Sequence, residues 1–270
     1  MITRQMITDV EPIAPDVWQH AEAAIADLEQ SITPGVWLTL DKATLIQEIR
    51  DRVRNPYRIS QGGQPFCGPA AVVFELARKQ PLRYINLCSY LYLIGGFHAK
   101  SRYIPVSEQL RRATTGNLRM GQTDWMILST FRDMENVLFA VEPNAPELLR
   151  NLAGMTKPWE LVGWIKEILG YQQVDCDYTV LGDDISALQS ADRCIRAGGV
   201  AFALVCAEGL LTDKPPLIPL PTHWIGIVGN IAIRPDTVQF DCYTWSKKIR
   251  LQMDHATCKK YLWAIVTGQP

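Results

Sequence analysis

An excess of charge of either sign is missing from this chain: 27 Lys and Arg face 28 Asp and Glu, for a formal net charge of -1. Without a basic surplus the sequence lacks the electrostatic footprint of a nucleic-acid binder, so no nucleic-acid partner is expected. Long apolar runs are missing too. The best candidates, Tyr90 to Phe97 and Gly199 to Ala207, end at His98 and Glu208. Both fall far short of the roughly 18 residues a membrane helix needs, and no membrane span is predicted. Met1 to Pro15 carries Arg4, Asp9 and Glu11 and no apolar h-region. The expectation is a chain that stays in the cytoplasm or leaves by a route without a Sec signal peptide. The seven cysteines (67, 88, 176, 194, 206, 242 and 258) are odd in number, irregularly spaced and without a CxxC pair. That excludes a disulfide framework and a zinc knuckle, and no metal is expected. No GxGxxG or GxxxxGK[ST] stands at a strand-to-helix turn, so no nucleotide cofactor is expected either.

What is present is 270 residues, 47% of them hydrophobic, enough for one large domain or two small ones with a buried core. The first half reads helical. Pro15 to Gln30 carries helix formers behind a Pro-Asp start. Asp41 is placed to cap a helix through about Val53, with Leu45, Ile46 and Ile49 on one face. Residues 54–66 are rich in Pro, Gly and Gln and read as loop. A helix is predicted from Cys67 to about Lys79, stopped by Pro81. Further helices are predicted over Arg83 to Ile94, Thr123 to Phe139, Pro158 to Leu169 and Asp184 to Arg196. The second half changes to short β-branched and apolar runs: Val200 to Cys206, His223 to Val228, Thr237 to Trp245, Lys248 to Met253 and Tyr261 to Val266. Helices first and strands second predict an α+β fold with an antiparallel sheet rather than alternating βαβ units. Residues 1–55 read as an N-terminal helical extension and 56–270 as the main domain.

One cysteine stands in a distinctive setting. In Gln61-Gly62-Gly63-Gln64-Pro65-Phe66-Cys67-Gly68-Pro69-Ala70-Ala71 it ends a Gly/Pro-rich loop and opens an apolar helix. Unsatisfied N–H groups and the helix dipole favour an anion there, and the thiolate is the nucleophilic form of cysteine. Gly68 leaves room for a substrate backbone. Pro69 lacks an N–H that would be orphaned anyway. Gln61, six residues upstream, can fold back so that its amide and the Cys67 N–H form a two-donor oxyanion hole, with Gln64 as the alternative donor. A thiol nucleophile needs a base. Of His20, His98, His223 and His255, His223 is the candidate, because it follows a Pro-rich loop (Lys214 to Pro221) at the start of the strand His223-Trp224-Ile225-Gly226-Ile227-Val228-Gly229.

Gln-x5-Cys-Gly opening a helix, followed by His on a downstream strand, resembles the papain-like cysteine peptidases. Cys-Gly-Pro-Ala-Ala is most similar to their C39-like branch. The resemblance covers about 30 residues in its motifs and implies a helical half carrying Cys67 packed on a sheet half carrying His223. It also implies an acid or amide on a later strand that orients the imidazole. Asp241, 18 residues after His223, is the nearest suitable carboxylate, with Trp245 placed to shield the pair. A tight hairpin at Pro235-Asp236 pairs Asp241 with Asn230, roughly 23 Å along the strand from His223. Asp241 therefore serves only if the strands are offset, and Tyr243 or a backbone carbonyl is the alternative. The separation of 156 residues between Cys67 and His223 is larger than in a minimal member of that branch, and the resemblance then implies that the helices from about 83 to 170 are a large insertion or a family-specific helical subdomain.

The resemblance implies hydrolysis of an amide bond in a protein or peptide substrate, without a cofactor, most simply as a peptidase. Deamidation, transglutamination and acyl transfer use the same machinery. A bacterial toxin or effector, with a cognate inhibitor protein as partner, fits the family and the missing signal peptide. The rival of another class is a non-catalytic interaction protein on the same scaffold.

Overall fold

The computed structural model describes residues 2–135, 156–179, 182–212, 214 and 216–270. It is an α+β structure with a large antiparallel sheet. The chain divides into two compact units, Val10–Thr156 on one side and Met1–Asp9 with Lys157–Pro270 on the other. The break expected at residue 55 is not where the chain divides: β1 (Thr3–Ile7) pairs into the sheet of the second unit, and the two helices that follow belong to the first.

The helical unit contains α1 (Pro15–Gln30), α2 (Lys42–Arg54), α3 (Cys67–Lys79) and α4 (Pro81–Ile94). A two-stranded ribbon, β2 (Gly96–His98) and β3 (Tyr103–Pro105), follows, then α5 (Glu108–Ala113) and α6 (Gln122–Asp133). The expected continuation of α6 to Phe139 lies outside the described residues. Local chemistry explains the boundaries. Asp41 accepts the Thr44 N–H at 2.7 Å and caps α2, which satisfies one orphan donor. Pro81 not only ends α3 but opens α4 at its first position, where a missing N–H costs nothing. Gly95, in the left-handed conformation (φ 70°), closes α4. From Cys67 to Ala77 every residue of α3 is buried, as expected of a helix apolar all round. Its one carboxylate there, Glu75, is matched by a bidentate Arg78 fork, Nη2 to Oε1 at 3.0 Å and Nε to Oε2 at 3.2 Å.

The second unit is built on seven strands in the order β1-β8-β7-β6-β5-β9-β4. They are β4 (Gln173–Tyr178), β5 (Val200–Val205), β6 (His223–Ile233), β7 (Thr237–Thr244), β8 (Lys247–Asp254) and β9 (Leu262–Gln269), with every pair antiparallel. Its helices are α7 (Pro158–Trp164), which runs into a π-turn over Ile165–Leu169, α8 (Asp184–Arg196), α9 (Ala207–Leu211) and α10 (His255–Tyr261). Asp183 caps α8 by accepting the Ile185 N–H at 3.0 Å. Alternation along the strands puts Ala201, Ala203 and Val205 on one face with Ile225, Ile227, Val238, Phe240, Cys242, Leu251 and Met253. There they form a buried core with Ala187, Leu188 and Ala191 of α8. Truncating Phe240, 1% exposed at the centre of this face, is expected to cost about 3–5 kcal/mol in chemical denaturation.

β1 and β4, which the sequence reading missed, are the two edge strands. Edge strands bury little and carry polar residues, so their hydrophobic alternation is weak. The run Thr3-Arg4-Gln5-Met6-Ile7 has no residue fully buried, and neither has Gln173 to Tyr178.

Candidate functional site

The helical unit carries Cys67. Gly62 and Gly63 stand in the left-handed region (φ 54° and 72°) and turn the chain back on itself. At Gly62 a side chain would also meet the Arg119 carbonyl oxygen at 2.1 Å, so both space and conformation require glycine. The Gln64 N–H donates to the Gln61 carbonyl at 2.8 Å, and the Gln61 amide returns a bond to the Gln64 carbonyl at 2.9 Å. This mutual pair closes the turn, and the Phe66 N–H then donates to the same Gln64 carbonyl at 2.8 Å. Cys67 follows as the first residue of α3, a helix with no side-chain cap. Pro69 has no N–H to offer, so the amides of Cys67 and Gly68 are the donors of the first turn. Gly68 fits closely against Thr156: a Cβ there would lie 2.4 Å from the threonine hydroxyl. The Gln61 side chain is thus part of the loop's own hydrogen bonding; among the described residues its amide has one acceptor, the Gln64 carbonyl, and carries a second hydrogen. Gln64 is buried at 2% exposure.

The sheet unit carries His223, first residue of β6 and buried at 5% exposure. Its Nε2 lies 2.8 Å from the Thr244 hydroxyl, and its ring centroid is 5.0 Å from that of Trp245 at an interplanar angle of 40°. Burial depresses the imidazole pKa to about 3, so the ring is neutral at physiological pH. Trp245 and Ser246 form the two-residue turn between β7 and β8, both at positive φ (46° and 60°). Such a turn ordinarily takes Asn-Gly or Gly-Gly. A tryptophan in this conformation costs of order 1–3 kcal/mol, and it is here that the ring meets His223.

Thr244 reaches the histidine through register. From the turn, Ile233 pairs with Val238 and Ala232 with Gln239. Two irregularities follow, after which Gly229 faces Asp241 and Gly226 faces Tyr243. The shifts leave extra residues on β6, with Gly229 at φ 135° and Asn230 at φ 51°, as bulges do. Together they slide β7 by two residues toward the start of β6, about 6.7 Å. An even slip preserves the side-chain faces. Thr244 therefore stays on the Phe240–Cys242 face, shared with Ile225 and His223, and moves within bonding reach of the ring.

Asp241 does not serve in this place. It alternates to the opposite face of β7, an odd number of residues from Thr244. Its carboxylate, 1% exposed, accepts the Arg250 fork at 2.7 and 3.0 Å and the Asn230 amide at 2.6 Å. This bond is the main reason the Arg250 pKa is raised. The imidazole partner is Thr244, a residue sequence reasoning passed over because it sought an acid or amide. The signal that would have found it is parity along β7.

The remaining histidines have local roles. His20 Nδ1 lies 2.8 Å from the Asp16 carbonyl, His255 Nε2 lies 2.8 Å from the Arg234 carbonyl, and His98 sits in β2 against Tyr103. All seven cysteines are thiols. Burial pushes the pKa of Cys88, Cys242, Cys258 and Cys176 upward. Among the described residues no group of three His, Cys, Asp or Glu is placed to hold a metal ion, and no helix is long and apolar enough to cross a membrane. No family model, no curated protein and no solved structure matches this chain.

Proposed function

We propose that this chain is a papain-like thiol hydrolase that cleaves an amide bond, with Cys67 as nucleophile and His223 as general base. The observation that carries the reading is the hold on His223. Nε2 is bonded to the Thr244 hydroxyl and Trp245 lies against the ring; in the tautomer this reading assigns, Nε2–H donates to Thr244 and Nδ1 of the neutral imidazole keeps its lone pair for a thiol proton. A cysteine at the uncapped start of a buried helix is the complementary feature of the other unit.

In the proposed reaction Nδ1 takes the Cys67 proton as Sγ bonds to the carbonyl carbon. The oxyanion is met by the Cys67 N–H and by the second hydrogen of the Gln61 amide. The C–N bond then breaks, the imidazolium returns its proton to the leaving amine, and water releases the acyl group from sulfur. Protein or peptide substrates suit this chemistry. Deamidation, transglutamination and acyl transfer differ only in which amine leaves and what accepts the acyl group.

The test has two arms. Iodoacetamide at pH 6 followed by peptide mapping is expected to modify Cys67 at least about tenfold faster than the half-buried Cys176. A quenched-fluorescent peptide library is expected to be cleaved by the protein and not by Cys67→Ala. Slow and uniform labelling of all the cysteines, with no cleavage, leaves a non-catalytic interaction protein as the better reading.

A further inference from the structure

The loop that delivers Cys67 is tied down by a buried ion pair within its own unit. Asp124, third residue of α6 and 1% exposed, receives a bidentate fork from Arg52 of α2 at 3.2 and 2.9 Å. The same carboxylate accepts the Ser60 N–H at 3.1 Å, one residue before Gln61, and the Ser60 hydroxyl accepts the Gly62 N–H at 3.2 Å. The start of α6 is itself clamped to α2. Glu48 accepts the Thr123 N–H at 2.7 Å, and a Cβ on Gly121 would lie 2.4 Å from an Arg52 nitrogen. An unbroken chain of bonds therefore runs from Arg52 through Asp124 and Ser60 into the Gly62–Gly63 turn.

A buried ion pair is poor evidence of stabilisation, because desolvating two charges offsets most of their attraction. Apolar residues of similar size would hold α2 against α6 as well. What they cannot supply is an acceptor for the Ser60 N–H. We propose that Asp124, held by Arg52, is a positioning residue for the Cys67 site: its carboxylate fixes Ser60 and thereby sets Gln61 and the loop that opens α3. This inference rests on the reading of Cys67 as nucleophile.

Two double variants separate the acceptor from the charge. Arg52→Met with Asp124→Leu removes both. Arg52→Met with Asp124→Asn removes the charges and keeps an oxygen for the Ser60 N–H. Both are made in the full chain, and the measurements are thermal unfolding, hydrogen exchange of the amides from Ser60 to Phe66, and the pH profile of Cys67 alkylation. The expected result is about tenfold faster amide exchange and about tenfold slower alkylation in the Leu variant, from the loss of one buried hydrogen bond. The Asn variant should stay within about twofold of the parent on both readouts. Equal behaviour of the two variants, whether both match the parent or both lose the loop, overturns the proposal. Unfolding of the Leu variant alone while the Asn variant folds also overturns it, since the carboxylate would then serve the fold. If the parent Cys67 alkylates no faster than Cys176, the hydrolase reading fails, and loop exchange still decides whether Asp124 positions Ser60.

Discussion

Cys67 and His223 are held in place by opposite means. Most of what sets the thiol is close in sequence: a Gly62–Gly63 turn closed by two bonds between Gln61 and Gln64, then a helix that begins at the cysteine itself, with Asp124 bonding the loop at Ser60 from farther along the chain. Everything that sets the imidazole is distant. Thr244 and Trp245 come from another strand and another turn, and they arrive only because two irregularities in β6 slide the pairing. A nucleophile set mainly by local backbone tolerates change over much of its unit, the Arg52–Asp124 pair excepted. A base set by register depends on every residue between the turn and the bond. The histidine side of the proposed site is therefore the more fragile one.

The largest expected effect breaks the comparison at its simpler end. Cys67→Ala should abolish peptide cleavage with the thermal midpoint unchanged within about 2 °C, since one buried sulfur is a small fraction of the core. Residual cleavage at the parent rate would remove the nucleophile from the proposal. Next is the base: His223→Ala should slow cleavage about 100-fold or more, the usual contribution of a positioned base.

The sharper test lies between two residues three positions apart on β7. Thr244→Val keeps shape and deletes the hydroxyl. It should lower kcat about tenfold through one lost buried hydrogen bond, with Thr244→Ser restoring most of it. Asp241→Asn should leave kcat within about twofold and lower stability instead, because it weakens the Arg250 fork. If Asp241→Asn costs more in kcat than Thr244→Val, the parity reading is wrong.

The smallest effect is in the stability curve. His223 has a folded pKa of about 3 against an ordinary value of 6.5. The unfolded chain thus binds a proton over that window and the folded chain does not. Stability is complete above pH 6.5 and falls as the pH drops below it, by about 2 kcal/mol between pH 7 and pH 5 from this residue. Urea melts of His223→Gln at the two pH values should show that increment missing.

The same contrast explains what the sequence disclosed. The start of α3, the Asp41 cap, the helix end at Gly95 and the strand beginning at His223 follow from residues within a few positions, and the sequence reading named most of them. The α+β order followed from where the two hydrophobic periods lie. Legibility failed where pairing is decided across the sheet. The edge strands β1 and β4 carry too little apolar alternation to announce themselves, and no local pattern foretells how many residues a bulge adds. Asp241 was chosen by residue type, which is a local property, whereas the partner of His223 is fixed by face and offset. The break at residue 55 failed for the same reason, since strand β1 finds its neighbour at the far end of the chain.

That pairing has a consequence for synthesis. Thr3 lies opposite Gln252 and Ile7 opposite Lys248, so β1 is made long before the strand it pairs with. Until β8 is made, β1 has no strand to pair with, and a long closure stands between the nascent chain and its completed sheet. Helices α1 to α4, whose contacts are near in sequence, are free to assemble on their own during that wait. Residues fused directly before Thr3 would burden the edge strand β1 at the pairing that closes the longest loop of the sheet.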